Sequence, residues 1–135
     1  MQSQSVAEDD LLEKAINYLF TGRTDPKDGP EFVDRKSCTV LIPDPRNNRV
    51  ARYYLSRFRL DDASIINKYS GSQVIYELDV RADDAVVEYL TPDKASVIQG
   101  YRSAQIPLPG DIQGIKKAIQ IISAECKPEK AKSPF

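Results

Sequence analysis

The chain of 135 residues has no histidine, no tryptophan, one methionine and two cysteines. Without histidine there is no imidazole general base, no Ser/His or Cys/His dyad, no histidine metal ligand and no histidine pH switch near neutrality. No apolar run approaches the ~18 residues that a membrane-spanning helix needs. Neither sign of charge dominates. Nineteen basic residues stand against twenty acidic ones, so no long-range field steers the whole molecule toward nucleic acid or an anionic membrane, and any such binding needs a local patch. The phosphate loop, the dinucleotide fingerprint and the nucleophile elbow are all missing, and no cofactor is expected.

What remains is the composition of an ordinary folded domain, 41% hydrophobic and 29% charged. A chain of this length buries about two-thirds of the surface that its unfolded form exposes, enough for a core without metals. Residues 1–135 read as one soluble domain, with 1–5 and 128–135 as flexible termini. The start, MQSQSVAEDD, has neither a basic beginning nor an apolar middle. It reads as the polar segment left after removal of a signal peptide, with Met1 in place of the cleaved part.

Residues 6–22 predict a first helix. Ser5 is its expected N-cap, with Glu8 completing a capping box and Gly22 ending it. Leu11, Leu12, Ala15, Ile16, Leu19 and Phe20 form an apolar stripe at three- and four-residue spacing. The proline- and glycine-rich residues 23–31 read as a loop. Its Asp25 and Asp28 do not make a calcium loop, because Lys36 stands where the twelfth-position glutamate belongs.

Strand patterns follow at 36–43, 49–60, 64–69, 73–80 and 85–90, and 96–106 adds a sixth that Gly100 weakens. PDPRNN and Ser70-Gly71-Ser72 are hairpin signals. Asp111 is the expected N-cap of a closing helix with Ile112, Ile115, Ile119, Ile122 and Cys126 on one face. The expectation is an α+β fold: an N-terminal helix, an antiparallel β-meander of five or six strands, and a C-terminal helix packed on the sheet. That layout resembles the cystatin-like and nuclear-transport-factor-like architectures. The resemblance is one of layout and carries no function with it. AVVEYL is the expected exposed edge, available for pairing with a second copy.

Residues 49–59 carry four arginines and three aromatic rings. As a strand, Ala51, Tyr53 and Leu55 face one way and Arg52, Tyr54 and Ser56 the other, while Phe58 and Leu60 need a bulge near Ser56 to return to the core. The preferred reading is the wet face of a one-sided sheet, its arginine stems covering neighbouring rings. The competing reading makes Arg49, Arg52, Tyr54, Arg57 and Arg59 a binding surface, in its sharpest form for single-stranded nucleic acid. Neither the paired glycine and aromatic positions of an RNA-recognition sheet nor a basic balance supports that form.

Cys38 and Cys126 are too few for a zinc site. A buried reduced pair and a reactive thiol are the alternatives to a disulfide. The disulfide is favoured, and its loop of about 90 residues would stabilise the fold by roughly 4–5 kcal/mol. Such a bond persists in an oxidising compartment, and an exported setting, periplasmic or secreted, is expected, with a cytoplasmic one as the alternative. Asp79, Asp83, Asp84 and Glu88 have the spacing of a carboxylate site, but equally that of solvated strand ends. Tyr18, Phe20, Tyr53, Tyr69, Tyr76 and Tyr89 are the candidates to line a pocket between helix and curved sheet. The functional expectation is a non-catalytic binding or accessory module for a protein or an envelope component. The alternative is a small-ligand or enzymatic pocket.

Overall fold

A computed structural model of the protein describes residues 2–25, 29–34, 38–60 and 64–126. Helix α1 (Gln2–Thr21) and helix α2 (Ile112–Glu125) bracket eight strands among the described residues: β1 (Glu31–Asp34), β2 (Thr39–Asp44), β3 (Arg49–Tyr54), β4 (Ile65–Ser70), β5 (Gln73–Arg81), β6 (Val87–Leu90), β7 (Val97–Tyr101) and β8 (Ser103–Leu108). The class is α+β, with antiparallel sheets and the terminal helix packed on them. No described helix is long and apolar enough to cross a membrane.

The strands divide into two sheets, ordered β1-β2-β3-β6-β7 and β4-β5-β8. The expected single meander therefore breaks at β3, whose second neighbour is β6, while the β4–β5 hairpin leaves to build the smaller sheet with β8. AVVEYL is not an edge: β6 lies between β3 and β7, and the edges of that sheet are β1 and β7, the latter exposed along its whole length. The sixth expected strand is really two, separated at Arg102, whose carbonyl accepts from Ala82 N–H while the carbonyl of Tyr101 accepts from Val86 N–H. Neighbouring residues thus bond into different sheets, which parts the chain at that point.

Helix α1 begins at Gln2, so Ser5 lies inside it rather than at its cap. The three residues ahead of Ser5 include no helix breaker, and glutamine extends a helix readily. Gly22 ends it as expected, at φ +77° with its N–H donated to the Tyr18 carbonyl. Leu12, Ala15, Ile16 and Leu19 are buried, whereas Leu11 is 48% exposed and falls off the stripe. On α2 the Asp111 carboxylate accepts from Gly114 N–H, and Ile115, Ala118, Ile119 and Ile122 are buried. The two helices join Val40, Ala51, Leu55, Leu78, Val86, Val87 and Ile106 in one core. A smaller cluster of Leu41, Val50 and Leu90 covers the opposite face of the larger sheet.

The phase change after Tyr54 is made by a 3-10 turn over Leu55–Arg57 rather than a bulge, and it delivers Phe58 to the core at 2% exposure. Cys38 and Cys126 form a disulfide, Cα to Cα 5.8 Å, which ties the start of β2 to the end of α2 across a separation of 88 residues. The aspartates at 28, 61 and 62, and residues 128–135, lie outside the described residues.

Candidate functional site

Strand β3 sorts its side chains by parity. Its antiparallel partners place Arg52 opposite Glu88 and Thr39 opposite Tyr54, and residues paired in this way share a face. Arg52 donates from Nη2 to Glu88 Oε1 at 2.7 Å, and the Tyr54 hydroxyl donates to the same oxygen. The Arg57 guanidinium lies over the Tyr54 ring at 4.2 Å, donates from Nη1 to the Ala85 carbonyl at 2.7 Å and stands 3.8 Å from Asp84. The hydrogen bond from Tyr54, then that from Arg52, hold the Glu88 carboxyl below the ordinary carboxylate range.

Arg49 has the other parity. It donates from Nε to Asp44 Oδ2 at 2.9 Å and lies 3.6 Å from the centroid of the Tyr89 ring. Arg59 is exposed beyond the strand. The five candidate surface residues are therefore not one patch. Arg52, Tyr54 and Arg57 meet around two carboxylates, Arg49 turns to the opposite face, and Arg59 stands apart. Asp84 and Glu88, read together as carboxylates, are arginine partners. Asp84 also accepts from Ala85 N–H.

Three of the six candidate pocket aromatics come together and three do not. Phe20 and Tyr53 pack at 5.2 Å between ring centroids and line a cleft of about 470 Å³ with Thr21, Ile42, Ile106 and Leu108. An adjoining compartment of about 250 Å³ also touches Tyr53 and is lined by Tyr89, Arg49, Tyr101, Ser103 and Gln105. Tyr89 meets Tyr101 edge-on at 5.8 Å. Tyr18 is instead wedged between Gly110 and Gly114, its hydroxyl donating to Asp111 Oδ2 at 2.9 Å. Tyr69 is 76% exposed on the β4–β5 hairpin, and Tyr76 is half-buried against the core.

The sequence reading missed the wall formed by β8. Residues 103–105 line the smaller compartment and 106–109 the larger, so one strand runs the length of both. β8 is also one edge of its sheet, β4 being the other. Pro107 pairs opposite Glu77 and, lacking an N–H, must occupy a position whose nitrogen faces the free edge. The available signal was IPLPG itself: two prolines alternating with Ile106 and Leu108 mark a strand that leaves one side unpaired.

The larger cleft is apolar in substance. The Thr21 hydroxyl in its wall is donated to the Asn17 carbonyl at 2.6 Å. Burial pushes the Tyr53 phenol up to about 12, so it stays protonated at neutral pH. The described residues hold no group of three or more Cys, Asp or Glu side chains arranged for a metal ion. Such a trough can take up apolar matter by desolvation, and its smaller end offers donors to a polar group. Comparison with family models, with curated proteins and with solved structures finds no match for the chain.

Proposed function

We propose that the protein is a non-catalytic binding module that works outside the reducing cytoplasm and holds an apolar ligand in the cleft between its two sheets. The observation that carries this reading is the cleft of about 470 Å³, whose walls are Phe20, Ile42, Tyr53, Ile75, Ile106 and Leu108 with three prolines and Thr21. Its volume lies within the range of small-molecule sites. Exposed apolar surface is favourable to cover at roughly 25 cal/mol per Å². The disulfide supports the oxidising setting. The arginine-rich strand is the weaker candidate for a partner surface, because Arg52 and Arg57 each face a carboxylate.

The test is a titration with N-phenyl-1-naphthylamine, an uncharged fluorophore that brightens in apolar surroundings. The expected result is saturable binding at one site per chain. Ile42→Trp, which fills the cleft, and Ile75→Glu, which charges its rim at a residue already 43% exposed, should each weaken it tenfold or more. Absence of saturable binding, or binding indifferent to both substitutions in folded protein, would overturn the proposal.

A further inference from the structure

Resting on that reading, we infer that the cleft is specific for a single-chain amphiphile with an anionic head, the tail lying between Ile42, Ile106 and Leu108 and the head against Arg49. The two compartments divide in the way such a molecule does. The larger is walled by aliphatic, aromatic and proline residues, and the smaller holds a guanidinium, tyrosines, Ser103 and Gln105. Both take consecutive residues of β8 and share Tyr53. The strand's six residues span ~17 Å, the scale of an extended acyl chain.

The head position follows from donor geometry. A guanidinium has five N–H groups. Among the described residues Arg49 uses one of them, Nε to Asp44. Its Cζ lies over the Tyr89 ring, and the Nη1 and Nη2 fork is left to receive two oxygens of one carboxylate. The strand adds a donor. Because Pro107 sets its own nitrogen toward the free edge, Gln105 two residues earlier turns its N–H to the same edge, and Gln105 lines the compartment with Arg49. The opposing charge is Asp44, which also accepts from Asn47 Nδ2 at 3.0 Å. The Arg49–Asp44 pair is neutral as a whole, so preference for an anion comes from the directed N–H groups, and Asp44 lowers it.

Displacement of the bound fluorophore tests this with three dodecyl compounds below their micellar concentrations: dodecanoate, dodecanol and dodecyltrimethylammonium. Dodecanoate should displace at roughly one-tenth the concentration of the other two, or less. Arg49→Gln should remove the preference, bringing dodecanoate to within about twofold of dodecanol. Asp44→Asn, which keeps Arg49, should strengthen dodecanoate severalfold. Equal displacement by all three compounds, or a dodecanoate preference that survives Arg49→Gln and ignores Asp44→Asn, overturns the head assignment while the apolar cleft stands. Failure of the fluorophore itself to bind overturns both.

Discussion

Removal of the Cys38–Cys126 bond is expected to cost about 4.6 kcal/mol. The figure comes from the separation of 88 residues entered in the loop-closure relation, which gives about 15 cal/mol/K of entropy withheld from the unfolded chain. The bond works on the unfolded state, so the native packing should survive its loss. Both cysteines are buried, at 1% and 3% exposure, and behave as small apolar side chains when reduced. Guanidinium unfolding of the oxidised protein, the reduced protein and the Cys38→Ala/Cys126→Ala variant measures the effect. The reduced and alanine forms should agree within about 1 kcal/mol, both less stable than the oxidised form by the stated amount. Their denaturant slopes should be steeper, because an uncrosslinked chain exposes more surface on unfolding. For a chain of this size the thermal midpoint should fall by about 15 °C. A loss below about 1 kcal/mol with unchanged slope would refute the reasoning, since the unfolded chain would then already be as compact as the crosslink makes it.

Two further outcomes follow from side-chain geometry. A Cβ at Gly114 would stand 2.3 Å from the Tyr18 hydroxyl oxygen, so Gly114→Ala should expel the ring from the α1–α2 contact and cost about 1–3 kcal/mol, in thermal unfolding, despite alanine's better helix propensity; Tyr18→Ala in the same chain should recover part of the loss. Glu88 is held below its ordinary value of 4.5 by Tyr54 and Arg52. The unfolded chain therefore binds its proton first as pH falls, and stability drops from about 4.5 down through the lower folded value. Glu88→Gln should remove this part of the acid slope in urea titrations at a series of pH values, and an unchanged slope would show that the carboxylate gains nothing from its partners.

Local chemistry was the legible part of this fold. Gly22 and Asp111 mark helix ends because each solves a terminal hydrogen-bonding problem by itself. Gly71 likewise marks the hairpin through its positive φ. The isoleucines of α2 show their face by spacing alone. Partner choice was not legible, because it depends on residues far apart in sequence. Nothing in 85–90 says that β6 lies beside β3 while β4 and β5 build elsewhere. β1 escaped because three of its four residues are exposed, which erases alternation. The aromatics made Phe20, Tyr53 and Tyr89 visible as cleft candidates. Ile42 and Ile106 stayed hidden because an aliphatic residue on a cleft wall follows the same pattern as one in a core. Arg49 was grouped with Arg52 and Arg57 by sequence proximity, although the odd separation of Arg49 from Arg52 along the strand sends their side chains to opposite faces, and the turn at Leu55–Arg57 brings Arg57 to the side of Arg52.

The bond between the start of β2 and the end of α2 also sets an order of events during synthesis. When Cys38 is added to the chain its partner is 88 residues away from being made, a delay of roughly 4–18 s at ordinary elongation rates. During that interval the first thiol is present while the strands that will bury it are still arriving. The final helix delivers the second thiol only after every strand of both sheets exists, so closure of the bond records that the whole domain has been produced. A chain interrupted between residues 38 and 126 would keep a lone thiol available to redox enzymes and to other chains, chemically distinct from the finished protein.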